Sequence, residues 1–133
     1  MTNSSAAQET ARILVAEDND FVRMQLVKFL NEADYETAEV VSGDEAMSKI
    51  LEGFDLAIVD VRMEPVGGFE FIKNMRSENI TTPAVLVTGD QDPNMLNEAA
   101  KWGVAAVLIK PVQKERLLKT VEKTLALERR RKS

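Results

Sequence analysis

The chain has 133 residues, 44% of them hydrophobic and 29% charged, with a formal net charge of −5, enough for one domain with its own core. Cys and His are both absent, which excludes a disulfide framework, thiol chemistry, Ser-His or Cys-His catalysis and a Cys/His zinc site. Any metal must be a hard, oxygen-liganded ion such as Mg²⁺, Mn²⁺ or Ca²⁺.

The polar opening "MTNSSAAQET" lacks the basic and apolar regions of a signal peptide. Residues 1–10 are expected to be disordered, and the natural compartment of such a chain is the cytoplasm. "RILVA" (12–16) reads as a buried strand. "DFVRMQLVKFLNEA" (20–33) has apolar residues at 22, 26, 29, 30 and 33, a helical period. "YETAEV" (35–40) is a shorter strand. Ser42, with Glu45 three residues on, is a capping-box pattern that opens a short helix. "DLAIVD" (55–60) is the third strand and "GFEFIKNMRSE" (68–78) the third helix. "PAVLVT" (83–88) is the fourth strand, and 94–103 a helix that Gly103 ends in C-cap position. "AAVLI" (105–109) is the fifth strand. The last helix, 114–130, is apolar at 117, 118, 121 and 125.

That helix hides an asymmetry of charge. Residues 114–133 hold eight basic and three acidic residues, which leaves nine basic and nineteen acidic before them, a net of −10. The body would repel nucleic acid, and only the tail favours it. The tail 129–133 reads as a solvated, fraying end, or as the start of a linker to a longer protein.

Five apolar strands alternating with five helices imply an α/β domain over 11–128, with a parallel sheet covered on both faces. In such sheets the ligand site lies outside the carboxyl ends of the strands. There the sequence places Glu17 and Asp18, Asp60, Thr88 and Lys110. Three carboxylates repel one another unless a cation intervenes, and one Lys is too little for all three. A divalent ion on oxygen ligands and waters suits the set, with Mg²⁺ favoured. Such a site accepts a phosphoryl group: the ion and Lys110 neutralise its oxygens and Thr88 donates a hydrogen bond. The available nucleophile is a carboxylate, which forms an acyl phosphate.

With "LVAEDN", "IVDVRM…GG", "VTG" and "EAAKWGVAAVLIKP" in order at these strand ends, the sequence resembles the receiver domains of two-component response regulators from about Arg12 to Leu127. The resemblance implies a doubly wound (βα)5 flavodoxin-like three-layer sandwich of strand order 2-1-3-4-5. It implies that Asp60 takes a phosphoryl group from the phosphohistidine of a sensor histidine kinase or phosphotransfer protein. The absence of His fits this, because the donor imidazole then comes from the partner. It further implies Asp60 and Asp18 as direct ligands of Mg²⁺ (or Mn²⁺), Glu17 acting through a bound water, and the backbone carbonyl of Arg62 as the third protein ligand. Thr88 and Lys110 contact the phosphoryl oxygens, and the Lys110–Pro111 bond is expected cis. The domain is then a switch and not an enzyme. It does not itself bind nucleic acid or membrane; its output partner is undefined, and a homodimer is an option.

Three features depart from the family pattern. Glu64 stands where a Pro commonly follows the loop Met, with Pro65 next, so the loop backbone is expected to differ locally. Val107 replaces the usual Tyr or Phe three residues before the Lys, and a Val lacks the reach to swing inward as that aromatic does. Arg62 and Asp90, each two residues past a site residue, are expected to pair across the entrance and restrict water. Met24, Met47, Met63, Met75 and Met95 read as packing filler, and Trp102 as packing at a helix end. The competing readings are a receiver fragment of a longer regulator, a dehalogenase-like phosphatase, a flavodoxin-like cofactor binder and a degenerate receiver that only docks. The phosphatase needs an acid where Arg62 stands, and the cofactor binder needs a phosphate loop where "AEDND" would repel phosphate.

Overall fold

The computed structural model describes residues 10–90 and 92–132. The expectation for the first ten residues therefore lies, up to residue 9, outside the described residues. Ten elements alternate along the chain: β1 (Arg12–Ala16), α1 (Asp20–Glu32), β2 (Glu36–Val40), α2 (Gly43–Ile50), β3 (Leu56–Asp60), α3 (Gly68–Ser77), β4 (Ala84–Thr88), α4 (Pro93–Lys101), β5 (Ala106–Ile109) and α5 (Lys114–Lys132). All four strand pairings are parallel and the order is β2-β1-β3-β4-β5, which is the flavodoxin-like arrangement the resemblance implied.

Strand alternation sorts the core into two layers. Ile13, Val15, Leu56, Ile58, Val85, Val87 and Leu108 face α1 and α5, where Leu26, Leu30, Leu117, Val121 and Leu125 pack on them. Leu14, Ala16, Ala57, Val59, Ala84 and Leu86 face the other way, against Ala46, Ile50, Phe71, Ile72, Met75 and Ala99 of the remaining helices. The central strands β3 and β4 are buried at every position, and burying their Leu, Ile and Val side chains contributes about 1.5–3 kcal/mol each. The core thus holds the carboxyl ends of β1, β3 and β4 in fixed register.

Local signals set the helix ends. Asn19 accepts from Val22 N at 3.0 Å, and Asp92 caps α4 through Asn94 N with Pro93 in the first turn. Ser42 caps α2, and Glu45 reaches back to Val41 N at 3.0 Å, one residue earlier than a capping box would place it. Gly103 has φ +70, and Val104 N donates to Ala99 O at 3.0 Å, closing α4 as its position predicted. Asp34 (φ 70) and Asn79 (φ 63) close α1 and α3 in the same way. Neither was singled out from sequence, because Asp and Asn tolerate the left-handed region without requiring it.

Two expectations change in the structure. Met24 is 62% exposed and fills no core, in contrast to Met63 and Met75, which are buried; its place on α1 turns it to solvent. The helix α5 runs through Arg129, Arg130 and Arg131 to Lys132, past residue 130, where the sequence reading ended it. Long basic side chains are good helix formers, and Arg131 pairs with Glu128 at 3.2 Å. Among the described residues, no helix is long and apolar enough to cross a membrane.

Candidate functional site

The parallel sheet delivers Glu17 one residue past β1, Asp60 at the end of β3, Thr88 at the end of β4 and Lys110 one residue past β5. Asp60, Glu17 and Thr88 are buried, at 4%, 1% and 3% exposure, and Asp18 stands exposed beside them. Carboxylate oxygens of Glu17, Asp18 and Asp60 all lie within 4.8 Å of one another. Lys110 Nζ sits 3.2 Å from Glu17 Oε1 and 3.3 Å from Asp60 Oδ2, a single cation between two buried anions.

Electrostatics follow from that packing. Burial, with the Asp60 charge adding to it, pushes the Glu17 carboxyl up to about 7 against the Asn19 backbone N–H and Lys110. Burial also works against the Lys110 charge, but Asp60 and Glu17 outweigh it and hold the ammonium above its ordinary value. Lys110 stays charged while its carboxylate neighbours remain under-neutralised.

The donor set fits a hard divalent ion. Glu17 Oε2 accepts from Asn19 N at 3.0 Å, whereas Glu17 Oε1 is buried and makes no hydrogen bond among the described residues. Lys110 Nζ is the ion-pair partner of Oε1, at 3.2 Å. A buried carboxylate oxygen without a hydrogen bond is costly, and together with Asp18 and Asp60 it forms an all-oxygen group of the kind Mg²⁺ takes.

The mouth of the site is a cleft of about 340 Å³ lined by Asp60, Arg62, Thr88, Gly89, Asp90 and Lys110. Thr88 Oγ1 accepts from Asp90 N at 3.1 Å, which leaves the hydroxyl proton to donate. Arg62 Nη2 meets Asp90 Oδ2 at 3.4 Å across the rim, with side chains 82% and 60% exposed. Lys110–Pro111 is cis, as expected, and Glu64–Pro65 is cis as well. Glu64 itself is exposed. Val107 is half-buried in the layer shared with Trp102. Trp102 does pack at the end of α4, where Nε1 donates to Glu98 at 3.1 Å and Lys73 lies over the ring at 5.6 Å.

Sequence reasoning missed two supports. Arg23 on α1 donates Nη1 to the Glu17 carbonyl at 2.7 Å, Nη2 to Asp20 at 2.6 Å and Nε to Glu39 at 3.1 Å, and so staples the acidic turn to β2. Local spacing announces only the Asp20 pair, three residues back; Glu39 is sixteen residues away. The sequence reading gave Gly68 only the place of first residue of the third helix. A Cβ there would clash with the Asp60 carbonyl oxygen and approach Val59 Cγ1 to 2.9 Å, so α3 starts directly on the backbone of the site strand.

The comparisons with known proteins agree with this geometry. Residues 13–122 match the family described as the response regulator receiver domain. The chain is 34% identical over 115 residues to the transcriptional regulatory protein ZraR of Salmonella typhimurium, covering 86% of this chain and 26% of that protein. It is 32% identical over 105 residues to the sensor protein EvgS of Escherichia coli O157:H7, covering 78% of this chain and 9% of that one. Among solved structures, chemotaxis protein CheY4 of Vibrio cholerae superposes with a TM-score of 0.82 at 32% identity, covering 86% of this chain and 98% of that one. The chain belongs to the receiver domain family of two-component response regulators. It spans only a minor part of the ZraR and EvgS sequences.

Proposed function

We propose that the domain takes a phosphoryl group onto Asp60 from the phosphohistidine of a sensor histidine kinase or phosphotransfer protein, and that this sets its affinity for an output partner. The observation that carries this reading is the position of Asp60, buried at the floor of an open cleft and faced by the Lys110 ammonium and the Thr88 hydroxyl. An Asp60 oxygen attacks phosphorus; the O–P bond forms, the donor N–P bond breaks, and its electron pair returns to the imidazole of the partner. The product is an acyl phosphate. Lys110 pairs with a phosphoryl oxygen, and Thr88 donates its free proton to another.

Glu17, Asp18 and Asp60, with the Arg62 backbone carbonyl, would hold Mg²⁺ (or Mn²⁺). When bound, that ion supplies positive charge against the phosphoryl oxygens. Transfer is to a side chain of the domain itself, so it is a switch rather than an enzyme, working in the cytoplasm. Phosphate contacts to Thr88 and Lys110 bias a two-state equilibrium. Val107 leaves the usual aromatic swing without its side chain, so the output runs through other groups on that face.

Incubation with acetyl phosphate and Mg²⁺, read by intact mass, tests the assignment. Wild type gains one phosphoryl group and Asp60→Asn gains none. Absence of labelling, or labelling that persists in Asp60→Asn, rejects it.

A further inference from the structure

At the end of the sheet opposite the carboxyl edge, a second cleft joins shape to uncompensated charge. It encloses about 430 Å³ between the residues just ahead of β4 and β5, Pro83 and Ala105, and the second half of α5. Its walls carry three cations, Arg76, Lys123 and Arg131, against one acid, Glu128. Glu128 is already paired with Arg131 at 3.2 Å.

Arg76 and Lys123 have no carboxylate at ion-pair distance among the described residues. Arg76 is half-buried and spends Nη1 on two neutral carbonyls, Ile80 O at 2.9 Å and Thr82 O at 3.0 Å. Those bonds aim the guanidinium without cancelling its charge, which Arg keeps at any ordinary pH. Burial lowers its pKa and only the more distant charge of Glu128 opposes that. A cation partly withdrawn from water attracts an anion more strongly than one on the open surface. The contrast with the rest of the chain is sharp: the residues before 114 carry a net charge of −10, so this concentration of positive charge is not background.

The remaining lining defines the ligand. The Thr81 and Thr120 side chains add hydroxyls at the wall, and Pro83 with the half-exposed Leu127 supplies an apolar side. Three cationic side chains with hydroxyls offer more donors than one carboxylate can accept, whereas a phosphate has three free oxygens. The volume lies at the small end of the range for ligand sites.

We propose that this cleft binds a small organic phosphate, its phosphoryl group held by Arg76 and Lys123 and its apolar body laid on Pro83 and Leu127. The site gives the domain a ligand input separate from Asp60, and it does not depend on the assignment of Asp60.

A ¹H–¹⁵N NMR titration of the full chain without divalent ions tests it, using adenosine 5′-monophosphate as the probe, with inorganic phosphate and adenosine as partial probes. The expected result is saturable shifts at Ala105, Ala106 and Thr120 through Leu127, with a Kd below about 1 mM for the monophosphate and weaker binding of either fragment. Lys123→Glu, at an exposed position, is expected to weaken binding about tenfold without changing Tm, and Lys123→Arg to retain it. The proposal is overturned by no saturable shift, by shifts confined to Thr88–Asp90 and Lys110, by a fragment binding as tightly as the monophosphate, or by unchanged affinity in Lys123→Glu.

Discussion

The turn after β1 and the rim formed by Arg62 and Asp90 serve one site, yet they are built by opposite means. In the turn, Glu17 is buried, bonded at one oxygen by Asn19 N and at its carbonyl by Arg23, which reaches on to β2. At the rim, one ion pair of 3.4 Å joins two exposed side chains. A hydrogen bond to the buried Glu17 fixes its geometry because breaking it leaves an unsatisfied group away from water. An exposed pair is screened and contributes little to stability. The turn therefore fixes where the carboxylates stand, whereas the rim pair adds little rigidity to the mouth.

The comparison can be broken most severely from beneath. Gly68→Ala forces a Cβ against the Asp60 backbone and is expected to destabilise by about 2–3 kcal/mol in urea denaturation while slowing acetyl phosphate labelling. An unchanged midpoint would mean that α3 shifts freely. Lys110→Met removes the cation between Glu17 and Asp60; a loss of about 2 kcal/mol is expected, partly recovered by millimolar Mg²⁺. No response to Mg²⁺ would contradict the ion-binding reading of the carboxylates.

Arg23→Met tests the staple directly. A loss of about 1–1.5 kcal/mol and a roughly tenfold weaker Mn²⁺ affinity by calorimetry are expected, with Arg23→Lys intermediate. If stability falls and Mn²⁺ affinity per folded molecule does not, Arg23 holds the fold and not the site. The smallest effect on stability belongs to the rim: Arg62→Ala and Asp90→Ala should each change it by less than about 0.5 kcal/mol. Both should shorten the lifetime of the phosphorylated protein by admitting water, and equal decay rates would reject the gate.

Much of this was legible in the sequence. Apolar runs, helical periods and the Ser42–Glu45 pattern located all ten elements; β1, β3 and β4 were plainest, because strands buried on both faces leave continuous apolar runs, which the edge strand β2 does not. Asp60, Asp18, Glu17, Thr88 and Lys110 were placed from the rule that sites lie past the carboxyl ends of parallel strands. Arg23 was not placed, because its partners come from α1, the turn and β2 at once. Gly68 was undervalued because a close backbone approach has no local signature. Met24 was assigned to packing on residue type alone, and its exposure depends on how α1 is turned on the sheet.

By itself the sequence determined the class of fold, the gathering of three carboxylates at one sheet edge and the exclusion of every Cys- or His-based alternative, since these follow from composition, periodicity and order along the chain. Tertiary structure decided the rest: which oxygen of Glu17 is left without a hydrogen bond, that Lys110 bridges two anions rather than one, that Arg23 staples the turn, and that Arg76 and Lys123 share a cleft. Those facts depend on distances between residues far apart in the chain, and such distances exist only once the sheet has been assembled.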